Sequence, residues 1–285
     1  MIFALNKTII CCIFFILLDA ISSSARSNDS AVILMYHRFG ENSYPSTNIR
    51  LDQFEKHILE LSNGEYKVLP LNKIMKSIKS GRKLPHRAIG ITIDDAFLSI
   101  YQEAWPRLRK AKLPFTVFVA TNAIDRKSKN YMTWDQLREL KNNGVQIGAH
   151  TATHLHMPNF DLTQNNNELE KSNSRFISEL GLKPNIFAYP FGETSKEIRS
   201  LVAKKGYEFA FGQHSGVVNS TSDYLYIPRF AMNERYSDLK RLKLILNALP
   251  IPAYDFTPDD QLIRKNNPPS IGFTVASSIK ILFIF

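Results

Sequence analysis

Between residues 31 and 250 the chain alternates short apolar runs with longer amphipathic stretches. Runs rich in β-branched and aromatic residues predict strands at Val32–Tyr36, Tyr66–Leu69, Ala88–Ile93, Phe115–Ala120, Val145–Gly148, Asn185–Tyr189, Phe209–Phe211 and Tyr224–Ile227. Between them, apolar positions recurring every three or four residues predict helices over Leu51–Leu61, Asn72–Ser80, Ser99–Lys110, Thr133–Asn142, Asn165–Leu180 and Thr194–Lys204. Thr133 with Gln136 has capping-box spacing, and Thr194 is expected to cap the helix that follows it. Strands separated by helices of this length predict a parallel sheet, and about seven such units predict one α/β barrel domain. A last helix, Ser237–Leu249, leads to an exit with Pro250, Pro252 and Pro258 that is expected to break regular structure. No internal repeat or low-complexity tract interrupts the pattern.

The two ends read differently. Lys7 precedes an apolar run from Ile9 to Leu18, and small and polar residues (Ala20, Ser22, Ser23, Ser24, Ala25) follow. That order is the one a secretory signal has, so residues 1–25 are expected to direct export; the alternative is an uncleaved N-terminal anchor. Residues 31–250 then form the catalytic domain and 251–285 a C-terminal extension. The extension ends on a bare apolar run, Ile279–Phe285, open to reading as a docking strand, a weak anchor or the end of a shortened chain. Both cysteines, Cys11 and Cys12, lie inside the first apolar run, which leaves the domain with neither a disulfide framework nor a thiolate nucleophile. Export without disulfides points to a bacterial periplasm, envelope or extracellular space.

Charge narrows the partners. With 36 Lys and Arg against 26 Asp and Glu, the formal net charge is +10, but the basic residues are scattered. No basic stripe or nucleic-acid motif is present, so nucleic acid is excluded as the expected partner, and the excess suits association with anionic envelope polymers, a membrane surface, or simple solubility. The oligomeric state is not legible.

Candidate chemistry gathers where strands end. His37 follows the first predicted strand, Asp94 and Asp95 end the third, and His150 and His154 follow the fifth. Pro190–Gly192, His214 and Arg229 follow the next three in turn. Strand ends share one rim of a barrel, and catalytic residues normally sit there. One carboxylate and two imidazoles make an open divalent-metal ligand set, and a second carboxylate beside it is a natural general base. On a helical turn, His150 and His154 would share a face. His156 would point elsewhere, and His57 and His86, in polar surroundings, are expected to be solvated. His37 reads equally as a structural histidine or a proton donor, whereas for His214 the structural reading is favoured. Phe187–Gly192 offers an aromatic wall and backbone N–H groups for an oxyanion, with Tyr189, Pro190 and Phe191 as the substrate-facing candidates. Tyr36, Phe97 and Phe230 are further rim aromatics that either stack on a sugar or belong to the core.

At these residues the chain resembles the polysaccharide deacetylase family, also called NodB-homology or carbohydrate esterase family 4. The family pattern is a Thr-Phe-Asp-Asp-like strand end, a His-(Ser/Thr)-x-x-His segment and an Arg-x-Pro-Tyr-like segment. Here these read Thr92-Ile93-Asp94-Asp95, His150-Thr151-Ala152-Thr153-His154 and Ala188-Tyr189-Pro190-Phe191. The resemblance covers roughly residues 31–235. It implies a distorted (β/α)7 barrel that removes N-acetyl groups from sugar polymers, usually with zinc. It further implies that Asp95, His150 and His154 bind the metal, that Asp94 is the base, and that Thr151 supports the histidine segment. Two departures stand out. Ala188 occupies the place of the arginine that braces the catalytic aspartate, a charge that Arg229 is the candidate to supply. The usual late Leu-x-x-His segment is not evident, and the opening Ile33-Leu34-Met35-Tyr36-His37 is similar instead to the circularly permuted poly-N-acetylglucosamine deacetylase branch. That similarity favours His37 over His214 as general acid. The expected reaction is therefore hydrolysis of the acetamide of an N-acetylated polysaccharide, releasing acetate. A non-catalytic carbohydrate-binding protein on the same barrel, or an amidase for a non-sugar amide, are the alternatives.

Overall fold

The structure, a computed structural model, describes residues 29–276 except 264 and 266. The expected export signal and the apolar run Ile279–Phe285 lie outside the described residues. Six parallel strands run in spatial order as they do in sequence: β1 (Ala31–Tyr36), β2 (Ala88–Ile93), β3 (Thr116–Val119), β4 (Gln146–Ala149), β5 (Ile186–Ala188) and β6 (Phe209–Phe211). The seventh member is a broken one. Ile227 bridges in parallel to Phe211, and β7 (Phe230–Ala231) pairs in parallel with Leu34 and Met35 of β1. Residues 227–231 thus carry the sheet from its last strand back to its first, giving the distorted (β/α)7 barrel of a single α/β domain. The strand expected at Tyr224–Ile227 is displaced: 224–226 form a turn, and Pro228, which has no N–H to give a ladder, splits the closing segment into two contacts. Tyr66–Leu69 contributes only Lys67–Val68, paired with the start of β2.

Burial explains the pattern of the runs. Every residue of β1 and β2 is buried, because one face packs into the barrel and the other beneath helices. Ile33, Phe118, Ile186, Ala188, Phe209, Phe211 and Ile227 form one apolar cluster with Leu71, Ile74 and Met75 of the helix Leu71–Lys79. Gly90 and Gly148 make room within the sheet: a Cβ on Gly90 would lie 2.8 Å from Ile33 Cδ1, and one on Gly148 would lie 2.5 Å from Phe118. The remaining helices cover the outside, among them Leu51–Asn63, Trp134–Asn142, Leu162–Leu180 and Lys196–Lys204.

Local signals fare unevenly. Thr133 caps its helix reciprocally with Gln136, as the spacing predicts. Ser195, not Thr194, caps Lys196–Lys204, its hydroxyl accepting from the Ile198 N–H. The helix expected over Ser99–Lys110 opens with a π-type turn, Ile100–Ala104, before Trp105–Lys110, because Pro106 cannot donate into a regular ladder. The last helix is shorter than expected, Leu239–Leu246, and beyond it Ala253–Thr257 and Gly272–Val275 pair as an antiparallel ribbon where broken structure was expected. No helix among the described residues is long and apolar enough to cross a membrane.

His57 overturns its expected solvation. It is fully buried between the first helix and the last, its Nδ1 2.9 Å from the Tyr36 hydroxyl and its Nε2 3.0 Å from the Ser237 carbonyl. Those partners fix a neutral ring that donates at Nε2 and accepts at Nδ1. Burial lowers its pKa to about 4. The unfolded chain therefore binds a proton that the folded chain refuses, so stability rises with pH across the interval from about 4 to about 6.5. Going from pH 6.5 to pH 5 should cost up to about 2 kcal/mol at this site, at the limiting slope of about 1.4 kcal/mol per pH unit. Thermal unfolding midpoints at pH 7 and pH 5 test this: the acid-induced drop shrinks in His57→Gln, and an equal drop in both proteins contradicts it.

Candidate active site

Consecutive residues of an extended strand point to opposite faces, yet two adjacent carboxylates serve one site here. The backbone resolves the conflict. Asp94 continues β2, its N–H bonded to the Tyr36 carbonyl of β1, while Asp95 (φ 75°) and Ala96 (φ 61°) turn into the left-handed region. Such φ values are unfavourable for residues with a Cβ and persist only when surroundings enforce them. Met132 N–H on the Ala96 carbonyl and the Phe97–Tyr131 bridge hold the turn.

Asp94 faces into the barrel and is fully buried. Arg229, equally buried, grips it with two parallel bonds, Nη1 to Oδ1 and Nη2 to Oδ2, both 2.7 Å. The same guanidinium donates Nε to the Gly212 carbonyl at 2.8 Å and Nη1 to the Thr92 hydroxyl at 3.1 Å, and it lies over the Phe118 and Phe211 rings. Burial by itself would raise the Asp94 pKa, but the charge and hydrogen bonds of Arg229 outweigh it and hold the carboxyl below its usual range. His37 Nε2 lies 3.9 Å from Asp94 Oδ2. Burial lowers the pKa of this imidazole against the pull of both aspartates. His214 is arranged otherwise: its ring stacks on Tyr226 at 4.3 Å, and among the described residues no ion pair joins it to either aspartate.

Asp95 turns the other way. Its Oδ1 lies 3.4 Å from His150 Nε2 and 3.2 Å from His154 Nε2, and one ligand atom from each residue falls within 4.8 Å of the others. His150 Nδ1 is 2.7 Å from the Ala188 carbonyl, which fixes the tautomer with the proton on Nδ1 and leaves the Nε2 lone pair aimed into the cluster. Asp95 Oδ1 and His150 Nε2 are buried without a hydrogen-bond partner. Orphaned buried acceptors are costly, and two facing one point with a third nitrogen beside them fit a divalent cation. The chain has the donors for a metal centre with open positions.

The histidine segment is not the helical turn expected. Residues 150–155 are irregular, with Thr151 (φ 63°) and His154 (φ 59°) left-handed. Thr151 Oγ1 accepts the His154 N–H at 3.0 Å, which gives Thr151 its supporting part. Glu168, absent from the sequence reading, accepts the N–H groups of Ala152 and Thr153 at 3.1 and 2.8 Å. Its signal was available: Glu168 shares a helical stripe with buried Asn165, Leu169 and Ser172.

The third segment divides its three candidates. Tyr189 is a core residue, fully buried, with its hydroxyl donating to the Leu225 carbonyl and its N–H to the Phe211 carbonyl. Pro190 has no N–H. Of the three, Phe191, at φ 58° and 43% exposed, lines the opening. Tyr36 also belongs to the core, whereas Phe97 lines the cleft. That cleft, about 420 Å³, is bounded by Asp95, Phe97, Asn122, Tyr131, His154 and Phe191.

A barrel with an open three-donor cluster at the strand ends and a buried carboxylate next to it is the architecture of a barrel hydrolase. Residues 81–210 match the family model named Polysaccharide deacetylase. It is 26% identical over 187 residues to a Bacillus subtilis protein whose name places it among polysaccharide deacetylases, the match covering 66% of this chain and of that protein. It is 25% identical over 233 residues to a Staphylococcus aureus poly-β-1,6-N-acetyl-D-glucosamine N-deacetylase, covering 72% of this chain and 80% of the relative. Among solved structures, the Streptococcus pyogenes deacetylase PplD superposes with a TM-score of 0.71 at 20% identity, over 77% of this chain and 99% of that one. IcaB from Ammonifex degensii gives 0.66 at 23% identity, over 77% and 98%. These likenesses to solved structures bear out the barrel.

Two measurements test this site. Arg229→Met strands a buried carboxylate and should destabilise the fold by about 3–5 kcal/mol in denaturant titration, with Asp94→Asn in the same background recovering part of the loss. A loss under 1 kcal/mol contradicts the burial of the pair. Zinc at about a hundredfold its Kd should stabilise the protein by about 2.7 kcal/mol, and this gain should vanish in Asp95→Ala and His150→Ala.

Proposed function

We propose that the chain is an exported, metal-dependent deacetylase of an N-acetylated envelope or extracellular polysaccharide, hydrolysing the acetamide to acetate and a free amino sugar. One observation carries the reading: the two orphaned buried acceptors, Asp95 Oδ1 and His150 Nε2, lie next to a separately anchored Asp94. Asp95, His150 and His154 would hold the ion, zinc by the character of the donor set. When bound, it supplies Lewis-acid polarisation of the acetamide carbonyl and activates water for attack.

The chain's own residues do the rest. Asp94 stays ionised because Arg229 stabilises its charge, and each oxygen keeps a second lone pair for a water proton. The water attacks the acetamide carbon as Asp94 takes that proton. His37, with Nε2 3.9 Å from Asp94 Oδ2, would take up that proton and hand it to the leaving amine, returning both side chains to their starting states. The Phe191 N–H is the candidate donor to the oxyanion, since Tyr189 has spent its own and Pro190 has none. Arg229 fixes where Asp94 stands.

Ala188, in place of the bracing arginine, is the feature that would suit a non-catalytic binding protein. Arg229 supplies that charge from another strand end, which favours catalysis. A relative named as a poly-β-1,6-N-acetyl-D-glucosamine deacetylase supports a glycan over a non-sugar amide. Acetate release from a panel of N-acetylated glycans, with and without chelator, tests the reading: release should stop with chelator and return with added zinc. Asp94→Asn should keep the metal and lose about a hundredfold or more of the rate. Full activity in that variant, or no acetate from any glycan, would overturn the proposal.

A further inference from the structure

Phe191 occupies a position that its own chemistry does not favour. A bulky residue at φ 58°, 43% exposed, is held there neither by backbone preference nor by core burial. Three contacts hold it instead. Gly192 (φ 71°) sits so close to the segment after β6 that a Cβ would lie 2.6 Å from the Gln213 nitrogen. The Gly192 carbonyl accepts the Tyr226 hydroxyl at 3.0 Å. The third contact comes from the histidine segment: the Phe191 ring lies flat on His156, centroids 3.7 Å apart and planes 1° from parallel.

His156 is itself steered. Its Nδ1 is 2.8 Å from Oε2 of Glu193, two residues past Phe191. The chain therefore forms a closed circuit from the histidine segment through the His156 ring to Phe191, and through Glu193 back to His156. Phe191 also meets His154 edge-on at 4.5 Å, so the circuit borders the candidate metal centre without entering the ligand set.

We infer that His156 and Glu193 are positioning residues for the reaction, setting the left-handed turn at Phe191 so that its N–H and ring meet the substrate. The inference rests on the deacetylase reading above. A displaced donor loses most of its value to a developing oxyanion, so the effect falls on the chemical step.

Three variants and the parent test it, with kcat and KM measured separately on N-acetylglucosamine oligomers and metal content measured on the same samples. His156→Ala should lower kcat about tenfold or more, with a smaller change in KM and full metal occupancy. His156→Phe, which keeps the stack, and Glu193→Gln, which keeps an acceptor for the ring N–H, should each recover most of the rate. Amide hydrogen exchange across residues 191–193 should quicken in His156→Ala alone. An unchanged kcat in His156→Ala, metal lost along with the rate, or His156→Phe as slow as His156→Ala would each overturn the inference. A parent that releases no acetate defeats the deacetylase reading instead, and the exchange measurement then decides the role of His156, unaltered exchange rejecting it.

Discussion

The Arg229–Asp94 pair is the constraint on which the rest of the structure leans. Two full charges with no exposed side-chain surface are tolerable only as partners, with the remaining donors also satisfied. Arg229 meets that condition through the Gly212 carbonyl and the Thr92 hydroxyl, and Thr92 in turn donates to the Leu34 carbonyl. The pair spans the place where the sheet returns from β6 to β1, so barrel closure and the anchoring of the candidate base are one event. Ala188 stands where a family arginine is usual, and its carbonyl has a different task, orienting His150.

With Asp94 committed to Arg229, Asp95 is left to face the histidines. Left-handed backbone occurs at Asp95, Thr151, His154 and Phe191, in three of the segments that form the site. Such strain gathers at sites where side chains must leave the directions that a regular strand or helix would give them. Side-chain clamps hold it in place: Thr151 Oγ1 and the Glu168 carboxylate on the histidine segment, and the His156 stack on the Phe191 turn. The two adjacent aspartates thereby acquire different electrostatic settings, one against a permanent cation and one against two imidazoles.

How much of this was legible follows from which forces act locally. The run Ala88–Ile93 reads as a buried strand because period and composition agree, and its boundaries match those observed. The Asp-Asp and His-x-x-x-His patches were identifiable as chemistry from residue type and position at strand ends. Their shapes were not: spacing of four suggested a helical turn, while Thr151 and His154 adopt left-handed φ values in a segment held by the Thr151 hydroxyl and by Glu168. Tyr189 was misplaced for a similar reason, since a strand-end aromatic reads the same whether its hydroxyl meets sugar or the Leu225 carbonyl. His57, among polar neighbours in sequence, is buried by partners at Tyr36 and Ser237 that sequence distance conceals. Arg229 was accessible as a candidate because the resemblance leaves a bracing charge missing at Ala188, and Arg229 follows another predicted strand.

The division of labour between the two aspartates is tested most directly by anomalous diffraction at the zinc edge from crystals grown with the metal. The expected map has one strong peak within about 2.0–2.2 Å of Asp95 Oδ1, His150 Nε2 and His154 Nε2, with Asp94 outside that sphere and still paired to Arg229. A peak coordinated by Asp94, or one that draws it away from Arg229, would contradict the assignment of base and ligand.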